Sequence, residues 1–381
     1  MNNFIYEYPI KTFFGEGCVG QHLGSQLQNY GKTVLLAYGQ GSIKKNGIYE
    51  EISSILKAAG KTIVDFAGIM PNPTYDKVQE GAALVRENHV DFILAVGGGS
   101  VIDCCKVVAA QAKTDQDIWE MEFSGHRYPD KWVPMGAVVT AAGTGSEMNS
   151  GAVITNESKM IKAGVFGAHA DFAFLDTAYT LSLPAGQVLS GAFDTLSHAM
   201  ETYLGTSDQD NVSDDVALAV MRNTVVNMRR LLVDVNDRQA RSNLMWDAAM
   251  AENGILKCGR LTDFQAHQIE HQLGAYTDCN HGQGLAVIHP AYYRHIVGDA
   301  LEKFTRFAKV VFEVDTAEAG VEALAAFIRE CGLPVRLGEL KSKVEITPEV
   351  LRKVADSCNI IGSNPRQLDK EEIYQILMEC I

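Results

Sequence analysis

Hydrophobic residues in the first half of the chain occur in short runs that end in glycine-rich segments, and helical spacing separates the runs. Buried strands are predicted at residues 33–37, 61–66 and 91–96, from Val133 onward, and at 172–176. Helices are predicted at 46–59, 75–88 and 100–112, and a hairpin at 152–155 and 162–166. Strands that alternate with helices indicate βαβ units and a parallel sheet.

The pattern changes near residue 180, after which apolar residues recur at helical spacing and we predict no strand. Helices are predicted around Asp194 up to Gly205, and at 212–232, 236–254, 267–273, 285–296, 300–311, 317–330, 347–356 and 369–379, with a break at Gly274. We therefore predict an α/β domain at residues 1–180 and an all-helical domain at residues 181–381.

Composition narrows the class of protein. The chain has 381 residues, 46% of them hydrophobic, and a formal charge of −14, which argues against nucleic-acid and anionic-membrane partners. We find no signal peptide and no run of 18 apolar residues, so no membrane span is expected. The eight cysteines contain no C-x-x-C pattern, which fits reduced thiols and a cytoplasmic location.

Glycine-rich segments follow several predicted strands. Residues 97–100 follow one strand, residues 38–42 another, and a glycine- and threonine-rich loop covers 140–147. At such strand ends, backbone amides can approach a pyrophosphate and the following helix adds partial positive charge. The triple glycine is neither a G-x-G-x-x-G fingerprint nor a Walker A loop. Read alone, it is equally a tight turn.

A second kind of chemistry is indicated in the helical half. Asp194 and His198 are four residues apart, as are His267 and His271, so each pair shares one face of a helix. Together with His281 they form an oxygen and nitrogen set suited to Fe(II) or Zn(II). The alternative is that the histidines are exposed helix or loop residues. Cys279 is a further possible ligand.

Segments 191–201, 267–274 and 280–284 carry a specific resemblance. With their surroundings they resemble the iron-containing alcohol dehydrogenase family, in its butanol dehydrogenase and broad aldehyde reductase branch, over essentially the whole chain. The resemblance implies a dehydroquinate synthase-like architecture: an N-terminal α/β dinucleotide-binding domain followed by an all-α metal-binding domain.

The resemblance also implies roles for individual residues. The implied metal ligands are Asp194, His198, His267 and His281. His271 is implied to lie near the substrate, where it either relays a proton or only lines the pocket. The residues implied or aligned at the cofactor are Gly39, Gly41, Ser42, Asn72, Gly97, Gly98, Gly99, Ser100, Asp103, Thr140, Thr144, Asn149, Lys162, Tyr179 and Leu181. Asp103 could instead complement the helix dipole, and Lys162 could be an exposed strand charge.

These features predict a metal-dependent, NAD(P)-linked alcohol dehydrogenase or aldehyde reductase that acts on a small molecule, a short-chain primary alcohol or aldehyde, in a cleft between the domains. Because residues 38–42 contain no carboxylate to repel a 2′-phosphate, NADP(H) is favoured over NAD(H). The resemblance suggests a homodimer. The alternatives are a glycerol dehydrogenase-like or dehydroquinate synthase-like enzyme, and a non-enzymatic metal-binding protein.

Overall fold

A computed structural model describes residues 1–206 and 210–381, which divide into two compact units. One unit is Tyr8–Leu183, and the other combines Met1–Glu7 with Pro184–Ile381. The first seven residues, predicted for the α/β domain, therefore belong to the helical unit. They are held there because the Asn2 amide donates to the carbonyl of Gly259 at 3.1 Å.

The α/β unit contains a sheet of six parallel strands and a separate antiparallel hairpin. The order across the sheet is β1-β8-β5-β4-β2-β3, and the hairpin pairs β6 with β7. The strands are β1 (Lys11–Phe14), β2 (Thr33–Tyr38), β3 (Thr62–Phe66), β4 (Phe92–Gly97), β5 (Met135–Val139), β6 (Gly151–Asn156), β7 (Ile161–Phe166) and β8 (Phe172–Leu175).

The chain reverses its direction across this sheet between β2 and β4. From β2 it continues outward to β3, then returns to β4 on the other side of β2 and moves on to β5. Parallel sheets bind ligands at such a switch point, beyond the carboxyl ends of the strands. The two glycine-rich segments that follow β2 and β4 lie at this edge.

Helices connect the strands. They are α1 (Cys18–Gln26), α2 (Ser42–Lys45), α3 (Ile48–Ala58), α4 (Tyr75–Glu87), α5 (Gly99–Gln111) and α6 (Ile118–Phe123). The sequence pattern did not predict β1, α1 or α6. The strand β1 has only four residues, and two glycines interrupt the periodicity of α1. Residues of α1 and α3, such as Leu23 and Leu56, share a buried apolar cluster with strand residues such as Leu36 and Leu94.

The second unit is helical, and its described residues form no strand. Its helices are α7 (Ala185–Leu204), α8 (Val212–Val233), α9 (Arg238–Glu252), α10 (Gln265–Thr277), α11 (His281–Ile296), α12 (Leu301–Phe307), α13 (Ala317–Glu330), α14 (Pro348–Ser357) and α15 (Lys370–Glu379). The predicted break at Gly274 is wrong, because α10 continues through it to Thr277. Helix α11 begins at His281, four residues before the predicted start at Leu285.

Helix α7 packs against α8, α9 and α11. Every residue from Phe193 to Leu204 is buried, so this segment cannot shift without disturbing its neighbours. In the part of the chain that the structure describes, no helix has the length and apolar character that crossing a membrane requires.

A buried ion pair fixes the carboxyl end of α7. The guanidinium of Arg260 lies 2.7 Å from Asp214 Oδ1, and both side chains are fully buried. The same guanidinium donates to the carbonyls of Thr202 at 3.2 Å and Tyr203 at 3.0 Å. Lys303 donates to the Tyr203 carbonyl at 2.9 Å. Two cations thus satisfy the last carbonyls of α7, where the helix dipole also favours positive charge.

Replacing Arg260 by Met should therefore destabilise the helical unit strongly. The substitution leaves Asp214 as an uncompensated buried charge, which typically costs about 3–5 kcal/mol. Chemical denaturation followed by circular dichroism measures the change. The matched control is R306M, because Arg306 pairs with the exposed Asp215 and exposed pairs contribute about 1 kcal/mol or less. Equal losses in the two variants would contradict the structural role of the buried pair.

Candidate metal centre

Helix α7 presents a stripe of charged and polar residues to the interior of the helical unit. Asp194, His198 and Glu201 follow one another at intervals of four and three residues along α7, so they lie on one face. All three are buried. Buried ionisable groups require compensating partners, and the partners of this stripe come from α10 and α11.

Three histidines converge on one oxygen of Asp194. Its Oδ1 atom lies 3.6 Å from His198 Nδ1, 3.7 Å from His267 Nε2 and 3.4 Å from His281 Nε2. The ligand atoms of Asp194, His267 and His281 all lie within 4.8 Å of one another. Atoms bound tetrahedrally to Zn(II) at its usual bond lengths are about 3.3–3.6 Å apart. The observed spacing therefore fits the edges of a metal coordination shell.

The donor atoms also need a partner that the described residues do not supply. Asp194 Oδ1, His198 Nδ1 and His267 Nε2 are buried, and none makes a hydrogen bond with a described residue. A buried polar atom without a hydrogen bond costs free energy. A divalent cation would satisfy all three atoms, so these residues fit a metal.

The electrostatics favour positive charge at the same position. Burial acts to raise the pKa of Asp194, but the neighbouring His198 and His281 hold that pKa well below its usual value. Burial acts to lower the pKa of His267, but the carboxylates of Glu201 and Asp194 raise it to about 10. Cations are therefore stabilised beside these carboxylates.

Two carboxylates behind the histidines were not assigned a role from the sequence. Nδ1 of His267 donates to Glu201 Oε2, and Nδ1 of His281 donates to Glu270 Oε2. Carboxylates commonly accept from the second nitrogen of a metal-binding histidine, which orients the ring. The only signal in the sequence is that Glu201 and Glu270 each follow a histidine by three residues.

Glycines 282 and 284 allow α11 to approach its neighbours. A Cβ on Gly282 would lie 2.1 Å from the carbonyl oxygen of Ser190 in α7. A Cβ on Gly284 would lie 2.9 Å from Cγ of Glu270. The close contact between α7 and the first turn of α11 brings His281 next to Asp194. Both glycines belong to segment 280–284, which carried part of the family resemblance.

Replacing Gly282 by Ala should separate the first turn of α11 from α7. We expect a loss of about 1–3 kcal/mol in unfolding free energy, because the added methyl group overlaps backbone rather than a mobile side chain. Denaturant titration provides the measurement. At Gly298, in the same unit, no described atom lies within 4 Å of an added Cβ, so G298A should change stability by less than about 0.5 kcal/mol. A neutral G282A would contradict this packing.

Other residues adjoin the cluster. The ring of His271 lies 5.5 Å from that of His281 and 6.0 Å from that of His267, measured between centroids. Its assignment beside the substrate stays a prediction. The ring of Phe264 lies 5.0 Å from that of His267. Cys279 lies 3.9 Å from Glu270 Oε1, where the thiol faces a carboxylate.

The predicted cofactor loops meet at the carboxyl edge of the sheet. Gly97 ends β4, Gly98 is the N-cap of α5, and the Thr140 amide donates to the Gly97 carbonyl at 2.9 Å. A Cβ on Gly99 would lie 2.2 Å from Thr144 Oγ1, so the two loops are in direct contact. Ser100 donates to the Pro71 carbonyl, which adds the segment that contains Asn72.

The remaining predicted cofactor residues belong to the same unit. Gly39, Gly41 and Ser42 follow β2, with Ser42 as the first residue of α2. Lys162 is a buried residue of β7, so the alternative of an exposed strand charge is wrong. Tyr179 and Leu181 lie in the short 3₁₀ helix Thr177–Ser182. Cofactor contact stays a prediction for all of them.

Asp103 and Asn149 belong to a buried network that braces these loops. Asp103 accepts from Ser146 Oγ and, at 2.8 Å, from the Val153 amide. Lys106 is 1% exposed and donates to Asn149 Oδ1 at 3.1 Å and to Ser146 Oγ at 2.9 Å. Both predicted cofactor residues thus have a structural role. The sequence analysis missed Lys106, although a single lysine within an apolar helix signals a buried charge.

Comparisons with known proteins identify the family of the chain. Residues 9–177 match the iron-containing alcohol dehydrogenase family model, and residues 188–381 match its C-terminal counterpart, the Fe-containing alcohol dehydrogenase family. The chain is 36% identical to a probable NADH-dependent butanol dehydrogenase 1 of Bacillus subtilis, with 99% of each chain covered. It is 32% identical to the NADPH-dependent aldehyde reductase YqhD of Escherichia coli, and the match covers 93% of this chain and 94% of that protein.

Among solved structures, NADH-dependent butanol dehydrogenase A of Thermotoga maritima superimposes with a TM-score of 0.93 at 33% identity. The superposition covers 100% of this chain and 99% of the other. The resemblance noted in the sequence and the predicted fold class are both confirmed. The chain belongs to the iron-containing alcohol dehydrogenase family.

Proposed function

We propose that this protein transfers a hydride between a nicotinamide cofactor and the carbon of a short-chain primary alcohol or aldehyde, as a metal-dependent dehydrogenase. The observation that carries the proposal is the convergence of His198, His267 and His281 on one oxygen of Asp194. The strand-end loops at residues 97–100 and 140–147 supply a dinucleotide site of the kind that parallel sheets provide. Relatives named as butanol dehydrogenases and an aldehyde reductase support the substrate class.

The residues of each unit have distinct tasks in this reaction. Asp194 and the three histidines would hold one divalent ion, Fe(II) or Zn(II). When bound, the metal polarises a carbonyl oxygen as a Lewis acid and the nicotinamide carries the hydride. The amides that open α5 would bind the pyrophosphate, because glycines at 97–99 leave the backbone accessible and the helix start is electropositive.

A proton must also enter or leave with the alcohol. His271 is our candidate for this task, since it follows His267 by one helical turn and its ring adjoins that of His281. An imidazole nitrogen can accept a proton and, once protonated, donate it, which suits proton transfer. The plainer role, in which His271 only lines the pocket, requires the same position.

Removal of the metal should abolish the activity reversibly. We expect chelated protein to lose aldehyde-dependent oxidation of NADPH or NADH with butyraldehyde, and single additions of Fe(II) or Zn(II) to restore it. Initial rates followed at 340 nm, the nicotinamide absorbance, provide the measurement. Glycerol, tested on the same preparations, distinguishes the glycerol dehydrogenase-like alternative. Activity that survives chelation, or that no metal restores, would refute the proposal.

Substitution of one proposed ligand tests whether the metal acts at this cluster. H267A should lower kcat/KM by more than about 100-fold even with added metal, because it removes a ligand rather than an outer partner. His295 is a suitable control, since it pairs with Glu372 on α15 instead of facing the cluster. H295A should retain activity near that of the unchanged protein.

We also propose a preference for NADP(H) over NAD(H). Residues 38–42 contain no carboxylate that would repel a 2′-phosphate. Ser42 begins α2, and the Lys44 ammonium lies 5.0 Å from the Tyr38 ring centroid, close to the same turn. The names of the relatives include both NADH-dependent and NADPH-dependent enzymes, so they support either cofactor.

The substitution G39D tests this preference. A Cβ at position 39 would make only ordinary contacts, at 3.4 Å from the Ile69 carbonyl and 3.9 Å from Val101, so aspartate should be accommodated. We expect the ratio of kcat/KM for NADPH to that for NADH to fall by about 10-fold or more, since one unfavourable charge contact of 1.4 kcal/mol corresponds to this factor. The same ratio measured for G39N, which adds a side chain of nearly the same size without charge, separates charge from bulk. An unchanged protein that prefers NADH would contradict the proposal.

A cytoplasmic homodimer remains our proposal for location and assembly. The eight cysteines are all buried as free thiols, which suits a reducing compartment. The partner subunit is proposed from the family resemblance alone.

A further inference from the structure

Both carboxylate oxygens of Glu201 accept hydrogen bonds from residues of α10. Its Oε1 atom accepts from the Ala266 amide at 2.7 Å and from the His267 amide at 3.4 Å. Its Oε2 atom accepts from Nδ1 of the His267 ring. The residue is fully buried. One side chain of α7 therefore contacts both the backbone and the imidazole of His267.

The start of α10 needs such a partner from outside the helix. Its N-cap is Phe264, whose side chain cannot accept a hydrogen bond and whose φ of 57° lies in the left-handed region. Asp263 accepts from the Gln265 amide at 3.1 Å. The next two amides, of Ala266 and His267, both donate to Glu201. Glu201 thus supplies from α7 the capping that a serine or aspartate normally supplies within the helix.

Helix α11 offers a comparison. It also carries a histidine in its first turn, His281, whose Nδ1 donates to Glu270 of the preceding helix. It has its own N-cap, however, because Asn280 accepts from the Gln283 amide at 3.1 Å. A glutamate thus faces each histidine, and Glu201 also caps the helix that carries its histidine.

We infer that Glu201 and Glu270 are positioning residues that keep the proton of His267 and His281 on Nδ1, so that Nε2 of each ring faces Asp194 as a metal ligand. Glu201 in addition couples the position of α10 to that of its histidine. The inference rests on the metal site proposed above. Glu201 and Glu270 would then influence the affinity of the protein for the metal without touching it.

The surroundings of Glu201 restrict its movement. Behind it lies His289, which is fully buried, with Nε2 4.0 Å from Glu201 Oε2 and 2.6 Å from Ser197 Oγ. Rotation of the Glu201 carboxylate would bring it against this ring and would break the bonds to two amides. The carboxylate is therefore held in one orientation, as an orienting partner must be.

The substitution E201Q separates the two tasks of Glu201. The amide oxygen of glutamine can still accept from the Ala266 and His267 amides, so α10 should remain capped. The amide NH₂ group would then face Nδ1 of His267, which must act as an acceptor, and the ring proton moves to Nε2. We expect the affinity for Zn(II) to fall about 10–100-fold, while the metal-free protein, which also loses the charge pairing between Glu201 and His267, keeps a helical circular dichroism spectrum.

Zn(II) affinity is measured on full-length, metal-free protein by competition with a chromophoric chelator. E270Q should show a similar loss through His281. D247N is the matched control, because Asp247 is a buried carboxylate that accepts from Asn223 at 2.8 Å and Thr224 at 3.2 Å rather than from a histidine. D247N should leave Zn(II) affinity unchanged. In an H267A background, E201Q should not lower the Zn(II) affinity further, because Glu201 acts on the metal only through the His267 ring.

The outcomes are distinguishable. Failure of the unchanged protein to bind Zn(II) would overturn the proposed function and, with it, this inference. If the unchanged protein binds Zn(II) but E201Q and E270Q bind within twofold of it, only the inference is overturned. An equal loss in D247N would also overturn it. If E201Q does not fold, the Zn(II) affinity of E270Q tests the inference instead. E270Q should fold, because Asn280 caps α11.

Discussion

The structure of the helical unit depends on how it compensates negative charge in a buried environment. Asp194, Glu201 and Glu270 are all at least 97% buried, and an isolated buried carboxylate is strongly unfavourable. Histidine rings face all three carboxylates, and the oxygen of Asp194 on which the rings converge has no hydrogen bond from a described residue. A divalent cation fits this arrangement because it satisfies the ring nitrogens and the carboxylate together.

This requirement explains how the three helices are packed. Asp194 and His198 lie in the middle of α7, whereas His267 and His281 lie in the first turns of α10 and α11. Helix starts carry unsatisfied amides and partial positive charge, so a glutamate from a neighbouring helix can serve both the helix start and the histidine. Gly282 then permits α11 to approach the backbone of α7. The packing of α11 against α7 therefore also sets the position of His281 beside Asp194.

In the α/β unit, the proposed dinucleotide site consists mainly of backbone groups rather than side chains. The sequence predicted its parallel strands and the glycine-rich loops after β2 and β4, because buried parallel strands read as apolar runs. It did not predict β1, which has four residues, or the attachment of Met1–Glu7 to the other unit. Short edge strands and terminal segments have too few residues for periodicity to identify. The hydrogen bonds of Asp103 and Asn149 within the unit could not be predicted from the sequence either, since the same residue types also suit contacts with a cofactor.

Two features of the site could be read from the chain alone. The pairs Asp194–His198 and His267–His271 each share a helix face, because a helix repeats about every 3.6 residues, and the segments around them resemble the iron-containing alcohol dehydrogenase family. The contact of Glu201 with His267, 66 residues away, and of Glu270 with His281 rather than with a histidine of its own helix, follows from how the helices pack. Periodicity reports which face of a helix is buried. It does not report which other helix that face meets, and that pairing depends on close contacts such as Gly282 against Ser190.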